Sequence, residues 1–403
     1  MTLATETTDP NALARRNALV LAAAQALCGA APTIVISQGG LVGEYLLGPD
    51  APLATAPVTG YNLGVWLGAL PAAMLMAWIG RRAGFISGAL LAAAGALLGM
   101  WAVIAGSFWP FVAALVLVGI GGSFTQQYRF AAADSGTDDF KPKAISWVLA
   151  GGLIAAIIGP QTAILMGDAL APVQFAGAFL GGAVLIGGGA LVLLLLNIER
   201  PMRKEGGAKE TGRPLGEIAS QPRFVVSVLC AVCSYALMSF VMTGAPLAMV
   251  DSGHTPNEAT QGIMWHVMAM FGPSFFTGSL IARYGKERIV AIGLGLLVLC
   301  AVIALTGLSL MHFWVALILL GVGWNFGFIG ATAMLTDCYR PEERAKAQGL
   351  NDFLVFGSVA FASLMAGFTL ATLGWDWLNW TVFPVVGVSA LALIWQVRRE
   401  AAA

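Results

Sequence analysis

What most limits the fold of this chain is a succession of apolar stretches, each about 20 residues long and bounded by short polar breaks. A helix of about 20 apolar residues covers the hydrocarbon core of a bilayer. Twelve such stretches follow one another: 18–42, 55–78, 85–105, 109–130, 145–166 and 175–196, then 223–248, 261–282, 289–308, 313–335, 349–372 and 379–397. They are rich in Ala, Leu and Gly and lack the alternation of a membrane strand. The expected fold class is all-α integral membrane, with 12 transmembrane helices. Charged residues make up 10% of the 403 residues, against about 25% in a soluble domain. That balance excludes a water-soluble enzyme, a nucleic-acid binder and a disordered scaffold, and the lipid bilayer becomes the expected solvent.

The 21 basic residues test this layout. With twelve spans they all fall at one side: Arg15/Arg16, Arg81/Arg82, Lys141/Lys143, the run from Arg200 to Arg223, Arg283/Lys286/Arg288, Arg340/Arg344/Lys346 and Arg398/Arg399, with Arg129 at the same end of span four. The opposite loops hold Asp50, Asp168, Asp251, Glu258 and Asp376, and no Lys or Arg. Eleven or thirteen spans would scatter these charges over both faces. The excess of cations on the inner side predicts that both termini are cytoplasmic. The expected organisation is a tail over 1–17, a six-helix bundle over 18–196, a Gly- and charge-rich linker over 197–222, a second bundle over 223–397 and a tail over 398–403.

The two halves echo each other. Gly80, before Arg81 and Arg82, stands 205 residues ahead of Gly285, before Lys286. Asp134 precedes Lys143 by nine residues, and Asp337 precedes Lys346 by nine. A glycine permits the tight turn between antiparallel helices, and the cations after it can pair with acids on neighbouring helix ends. The expected cytoplasmic gate pairs Asp134 with Arg81 or Arg82, and Asp337 with Arg283 or Arg288. Plain topology anchoring is the alternative role for these charges.

Twelve spans in two repeated halves, a basic central loop and these glycine turns resemble the major facilitator superfamily over essentially the whole chain. The turns depart from the family's G-x-x-x-D-R-x-G-R-R pattern: Ala77 and Ala282 stand at its Asp position, and Trp78 replaces the following Arg that Arg283 retains. The resemblance implies two six-helix pseudo-repeats and a secondary transporter working by alternating access, with its site near the midplane between the halves.

Polar and aromatic residues deep in the spans are the candidates for that site: Gln25, Tyr61, Asn62, Gln161, Tyr235, Trp265, His266, Trp324 and Asn325. His266 matches Tyr61 at the repeat offset, and an imidazole titrates near neutrality, which makes it the candidate for proton coupling. Amides and hydroxyls in membrane helices also join helices together, so each has a structural alternative. No carboxylate lies near mid-span, and Arg129 and Asp352 lie toward the inner ends. A neutral or weakly charged, partly aromatic small-molecule substrate fits this set.

Within the superfamily, AQALCGAAPTIVISQGGLVG (24–43), QQYRFAAAD (126–134), WHVMAMFGPSFFTG (265–278) and GLNDFLVFG (349–357) are similar to a bacterial group that includes riboflavin transporters. This implies flavin uptake across the bacterial inner membrane, with stacking on Trp or Tyr. The alternative is a proton-coupled drug or metabolite exporter. Gly159-Pro160 in span five matches the G-x-x-x-G-P-x-x-G-G stretch of such antiporters, but Ala155 replaces its earlier Gly and the trailing pair is absent.

No enzyme is expected: there is no Walker sequence and no nucleophile–base set. Nor is a metal expected: Cys230 and Cys233 form a C-x-x-C, but within a spanning helix, and Cys28, Cys300, Cys338 and three scattered histidines cannot build a site with them. No cofactor and no nucleic-acid partner are expected, and a monomer suffices, with protons as the candidate coupling ion.

Overall fold

A computed structural model describes residues 11–49, 51–134, 137, 140–198 and 212–402. Most of the expected linker, over 199–211, and Asp50 lie outside the described residues. Every regular element among the described residues is helical. In chain order the first half is built from α1 (Ala12–Cys28), α2 (Ala30–Leu47), α3 (Ala56–Ile79), α4 (Arg81–Ile104), α5 (Phe108–Thr125), α6 (Tyr128–Asp134), α7 (Lys141–Met166) and α8 (Ala176–Leu193). After the short α9 (Leu215–Ala219), the second half is built from α10 (Pro222–Asp251), α11 (Pro256–Phe271), α12 (Ser274–Tyr284), α13 (Lys286–Leu305), α14 (Leu310–Leu335), α15 (Arg344–Trp380) and α16 (Val382–Ala402).

Among the described residues, ten helices are long and apolar enough to cross a membrane. Two local features account for the difference from twelve. The eighth expected span is broken at Gly272–Pro273 into α11 and α12, because proline lacks an N–H and clashes with the preceding turn. The eleventh and twelfth run together through α15, whose course changes at Gly374 (φ 83°, ψ 179°). The outer start of α11 is fixed by a reciprocal cap, in which the Glu258 backbone N–H donates to Thr255 Oγ1 and the Thr255 N–H donates to the Glu258 carboxylate.

Each half has its own apolar core. Phe85, Phe111, Leu115, Tyr128 and Phe179 centre the first. Met238, Leu294, Leu297, Phe313 and Leu320 centre the second. Contacts between halves run through α3 with α15, α7 with α11, and α2 with α10 and α11. These helices form the seam between the halves.

Candidate site between the two halves

Toward the acidic-loop end the halves are joined. Gln38 Nε2 donates to Thr260 Oγ1 at 2.8 Å, and both side chains are buried. Ser363 Oγ donates to Thr59 Oγ1 at 3.1 Å, and Thr55 Oγ1 to the Leu364 carbonyl at 3.5 Å. Leu41, Ala54 and Leu247 form a small apolar cluster beside them. Farther in, the Trp66 ring meets Phe353 of the other half at 5.1 Å. Toward the basic-loop end the facing side chains are accessible instead: Gln126, Arg129 and Asp352 are all exposed.

Between these two levels lies a group of rings. Tyr235 on α10 packs edge-on against Trp324 (5.2 Å) and Phe328 (5.0 Å) on α14 and Phe356 (5.8 Å) on α15. Trp324 stacks on Phe328 one turn along, 5.4 Å apart with 16° between planes, and meets Phe271 at 6.1 Å. On the opposing half Tyr61 is packed against Gly119 and Gly122, where a side chain would collide with it. Tyr61 and Tyr235 are near enough to interact electrostatically across the interface, as are Tyr235 and Arg129.

So the structure brings Tyr61, Tyr235 and Trp324 to one place, with half-buried Asn62 beside Tyr61. The others go elsewhere. Asn325 is fully buried, and its Nδ2 donates to the Met270 carbonyl (2.8 Å) and Ser274 Oγ (2.7 Å), while its Oδ1 accepts from Thr277 Oγ1 (2.6 Å). It satisfies backbone freed by the Pro273 break and is closed off from the ring group's open side. His266 is also fully enclosed, its Nδ1–H donating to the Leu317 carbonyl at 2.8 Å, which joins α11 to α14. Trp265 is 39% exposed on the neighbouring arc of α11. Gln25 lies against Gly29 and Gly152 of its own half. Gln161 reaches the interface toward its closed end, 3.6 Å from Met264 Sδ.

The rings of Trp66, Phe271, Phe328, Phe353 and Phe356 were not legible as site residues, nor was Arg129 as more than peripheral. The usable signal was spacing: Trp324/Phe328 and Asp352/Phe356 are i, i+4 pairs, which share a helix face.

The inner turns also differ from expectation. Asp134 pairs with Arg81 at 2.6 Å, while Arg82 donates to the Leu194 carbonyl at 2.7 Å. Asp337 pairs with neither Arg283 nor Arg288. It takes Lys286 (2.6 Å) and Arg223 (2.9 Å), and Arg223 also holds Glu287 (2.7 Å) and Glu400 (2.6 Å). Burial pushes the Asp337 carboxyl up, but Lys286 and Arg223 outweigh it and hold the group below its ordinary value. The reason is positional. Lys286 follows Gly285 as Arg81 follows Gly80, whereas Arg283 precedes the turn and lies over Tyr284 at 5.3 Å. All these pairs stay within one half, so they brace each bundle rather than lock the two together.

A family model described as Major Facilitator Superfamily matches residues 17–329 and 227–403. The chain belongs to the major facilitator superfamily. It is 52% identical to the riboflavin transporter RfnT of Brucella anthropi, over 98% of this chain and 99% of that one. It is 28% identical to the MFS-type transporter YddS of Bacillus subtilis, over 96% and 92%. Among solved structures it is similar to the nucleoside transporter NupG (TM-score 0.69, 13% identity, 95% and 98% covered). It is also similar to a bacterial homologue of the lysosomal transporter Spinster in an inward-facing, unoccupied conformation (TM-score 0.71, 15% identity, 97% and 98% covered). At those identities the two structures speak for the fold alone. The chain is thus a multi-pass membrane transporter of this superfamily.

Proposed function

We propose that this protein takes up riboflavin, or a close flavin relative, across a bacterial inner membrane. The observation that carries the reading is the 52% identity to a riboflavin transporter over nearly the full length of both chains. The ring group of Tyr235, Trp324 and Phe328 supports it, because a flat heteroaromatic substrate gains from offset or edge-on contacts with such rings. The two bundles, as monomer, rock around this place so that it faces either side in turn. The one-sided distribution of Lys and Arg supports cytoplasmic termini. On that orientation the joined end is the outer one, and the accessible Arg129 and Asp352 face the cytoplasm. Protons are the coupling ion to test. Fully enclosed His266 is a poor carrier for them, and His266→Ala is expected to leave the pH dependence of uptake unchanged.

The test is uptake of labelled riboflavin by a riboflavin-requiring bacterium expressing the protein, with and without a protonophore. Saturable uptake above an empty-vector control is expected, and a fall with protonophore would indicate proton coupling. No uptake, with the protein present in the membrane, would overturn the flavin reading, and raised drug tolerance in the same cells would then favour export.

A further inference from the structure

Two charged side chains, one from each half, stand at the accessible mouth of the ring group and are used by nothing described so far. Arg129 is on α6 and Asp352 near the start of α15, and both are exposed. Asp352 and Phe356 lie one turn apart on the same face of α15, and Phe356 touches Tyr235. Phe353, beside Asp352, meets Trp66 across the interface. The Arg129 guanidinium lies over the ring of Phe130 at 4.8 Å, and Tyr235 and Asp352 of the other half are near enough to interact with it electrostatically. No ion pair within 4.0 Å joins Arg129 to Asp352 among the described residues. One carboxylate oxygen of Asp352 accepts from Asn351 Nδ2 at 3.1 Å, which leaves acceptor capacity on the other. A guanidinium donor fork and a carboxylate acceptor from opposite halves therefore stand near each other, beside the ring group.

We propose that Arg129 and Asp352 together read the imide edge of a flavin, the Asp352 carboxylate accepting its N3–H and the Arg129 guanidinium donating to a flanking carbonyl. The inference rests on the flavin reading above and names the residues that set its specificity. An imide presents acceptor, donor and acceptor along one edge. A neighbouring donor and acceptor from opposite halves match two of these three positions. The opposite charges cancel, which suits a neutral ring. Because the partners come from different halves, the substrate would also draw the two together. A site built to bond a substrate N–H rejects the analogue lacking it more strongly than shape alone could.

The experiment compares riboflavin with 3-methylriboflavin, whose ring N–H is blocked, as competitors of labelled riboflavin uptake. In the unmodified protein the methylated analogue is expected to compete about 10-fold or more weakly, as for a lost bond to a charged group. Asp352→Ala should raise KM for riboflavin by a similar factor and bring the ratio of the two competitors close to one. Asp352→Asn should keep the ratio, because the amide oxygen still accepts. Arg129→Ala should weaken both competitors together and leave the ratio as it was. A ratio near one in the unmodified protein overturns the inference, and does so even where Asp352→Ala fails to reach the membrane. An unchanged ratio in Asp352→Ala also overturns it. So does a collapse in Asp352→Asn, which would assign Asp352 the role of a charge alone. Absence of riboflavin uptake by the unmodified protein would instead overturn the flavin reading itself, and this inference with it.

Discussion

The inner turn of the first half and the inner turn of the second share one backbone but carry different charge arrangements. Gly80 has φ 89° and ψ 158°, and Gly285 has φ 89° and ψ 155°. Each is followed by a cation that reaches an aspartate at 2.6 Å, Arg81 to Asp134 and Lys286 to Asp337. In the first half that pair is half-open to solvent, with Asp134 59% exposed. In the second, Arg223 enters from α10 and binds Asp337, Glu287 and Glu400, tying α10, α13, the end of α14 and α16 together. The repeated sequence has kept the turn and the reach of its cation, while the second half has added a hub that the first lacks among the described residues.

The largest effect should follow from removing that hub. Arg223→Ala leaves Glu287 and Glu400 without their cation and Asp337 with Lys286 alone, and three partly exposed pairs lost together cost about 1–3 kcal/mol. Arg81→Ala breaks one exposed pair and should cost less than about 1 kcal/mol. Thermal unfolding of the full chain in detergent reads both. Equal losses would show that the second half does not depend on its hub, and the contrast would fail.

Next in size are the turn glycines. Their φ and ψ lie in a region that is essentially glycine-only, so a side chain at either position is strained by about 1–2 kcal/mol. Because the two backbones agree, Gly80→Ala and Gly285→Ala should lower the melting temperature alike. A clear inequality would mean that the second turn is held by its ion network rather than by its backbone.

This contrast also shows where the sequence could be read. Apolar length and the one-sided cations are strong, summed signals, so the class and the spans were legible. The repeat offset locates both turns by their glycines. The same offset carries Arg81 to Lys286, so the correct partner of Asp337 was within reach. Arg223 was not, because its contacts join helices far apart in the chain. The candidate site was read less well, since polarity at mid-depth does not separate residues that face a substrate from those that join helices. Asn325 and His266 are both polar, central and fully buried, and both serve backbone carbonyls. Of the rings that gather at the interface, Tyr235 and Trp324 carry a polar atom and were legible, whereas Phe271, Phe328, Phe353 and Phe356 are apolar and carry no such marker in a membrane helix.

The smallest predicted effect tests whether carboxylates weigh more in the second half at its linker as well. Glu343, in the inner loop ahead of α15, is fully enclosed. It accepts from Arg213 Nε (2.9 Å), Nη2 (2.7 Å) and backbone N–H (2.9 Å), and from the Arg340 N–H at 3.0 Å. Bonding by Arg213, then by the Arg340 backbone, outweighs burial and holds its carboxyl well below the ordinary value of 4.5. A carboxyl depressed in the folded state contributes stability that is complete above its unfolded value and is lost as pH falls through the folded one. Glu343→Gln should therefore melt below the unmodified protein at neutral pH, by less than Arg223→Ala does. The gap should hold down to about pH 4.5 and narrow below it as the carboxyl of the unfolded chain takes up its proton while the native one stays ionised. A gap constant through that range would assign the loss to packing in the loop, and would leave the Arg223 hub as the feature that separates the two halves.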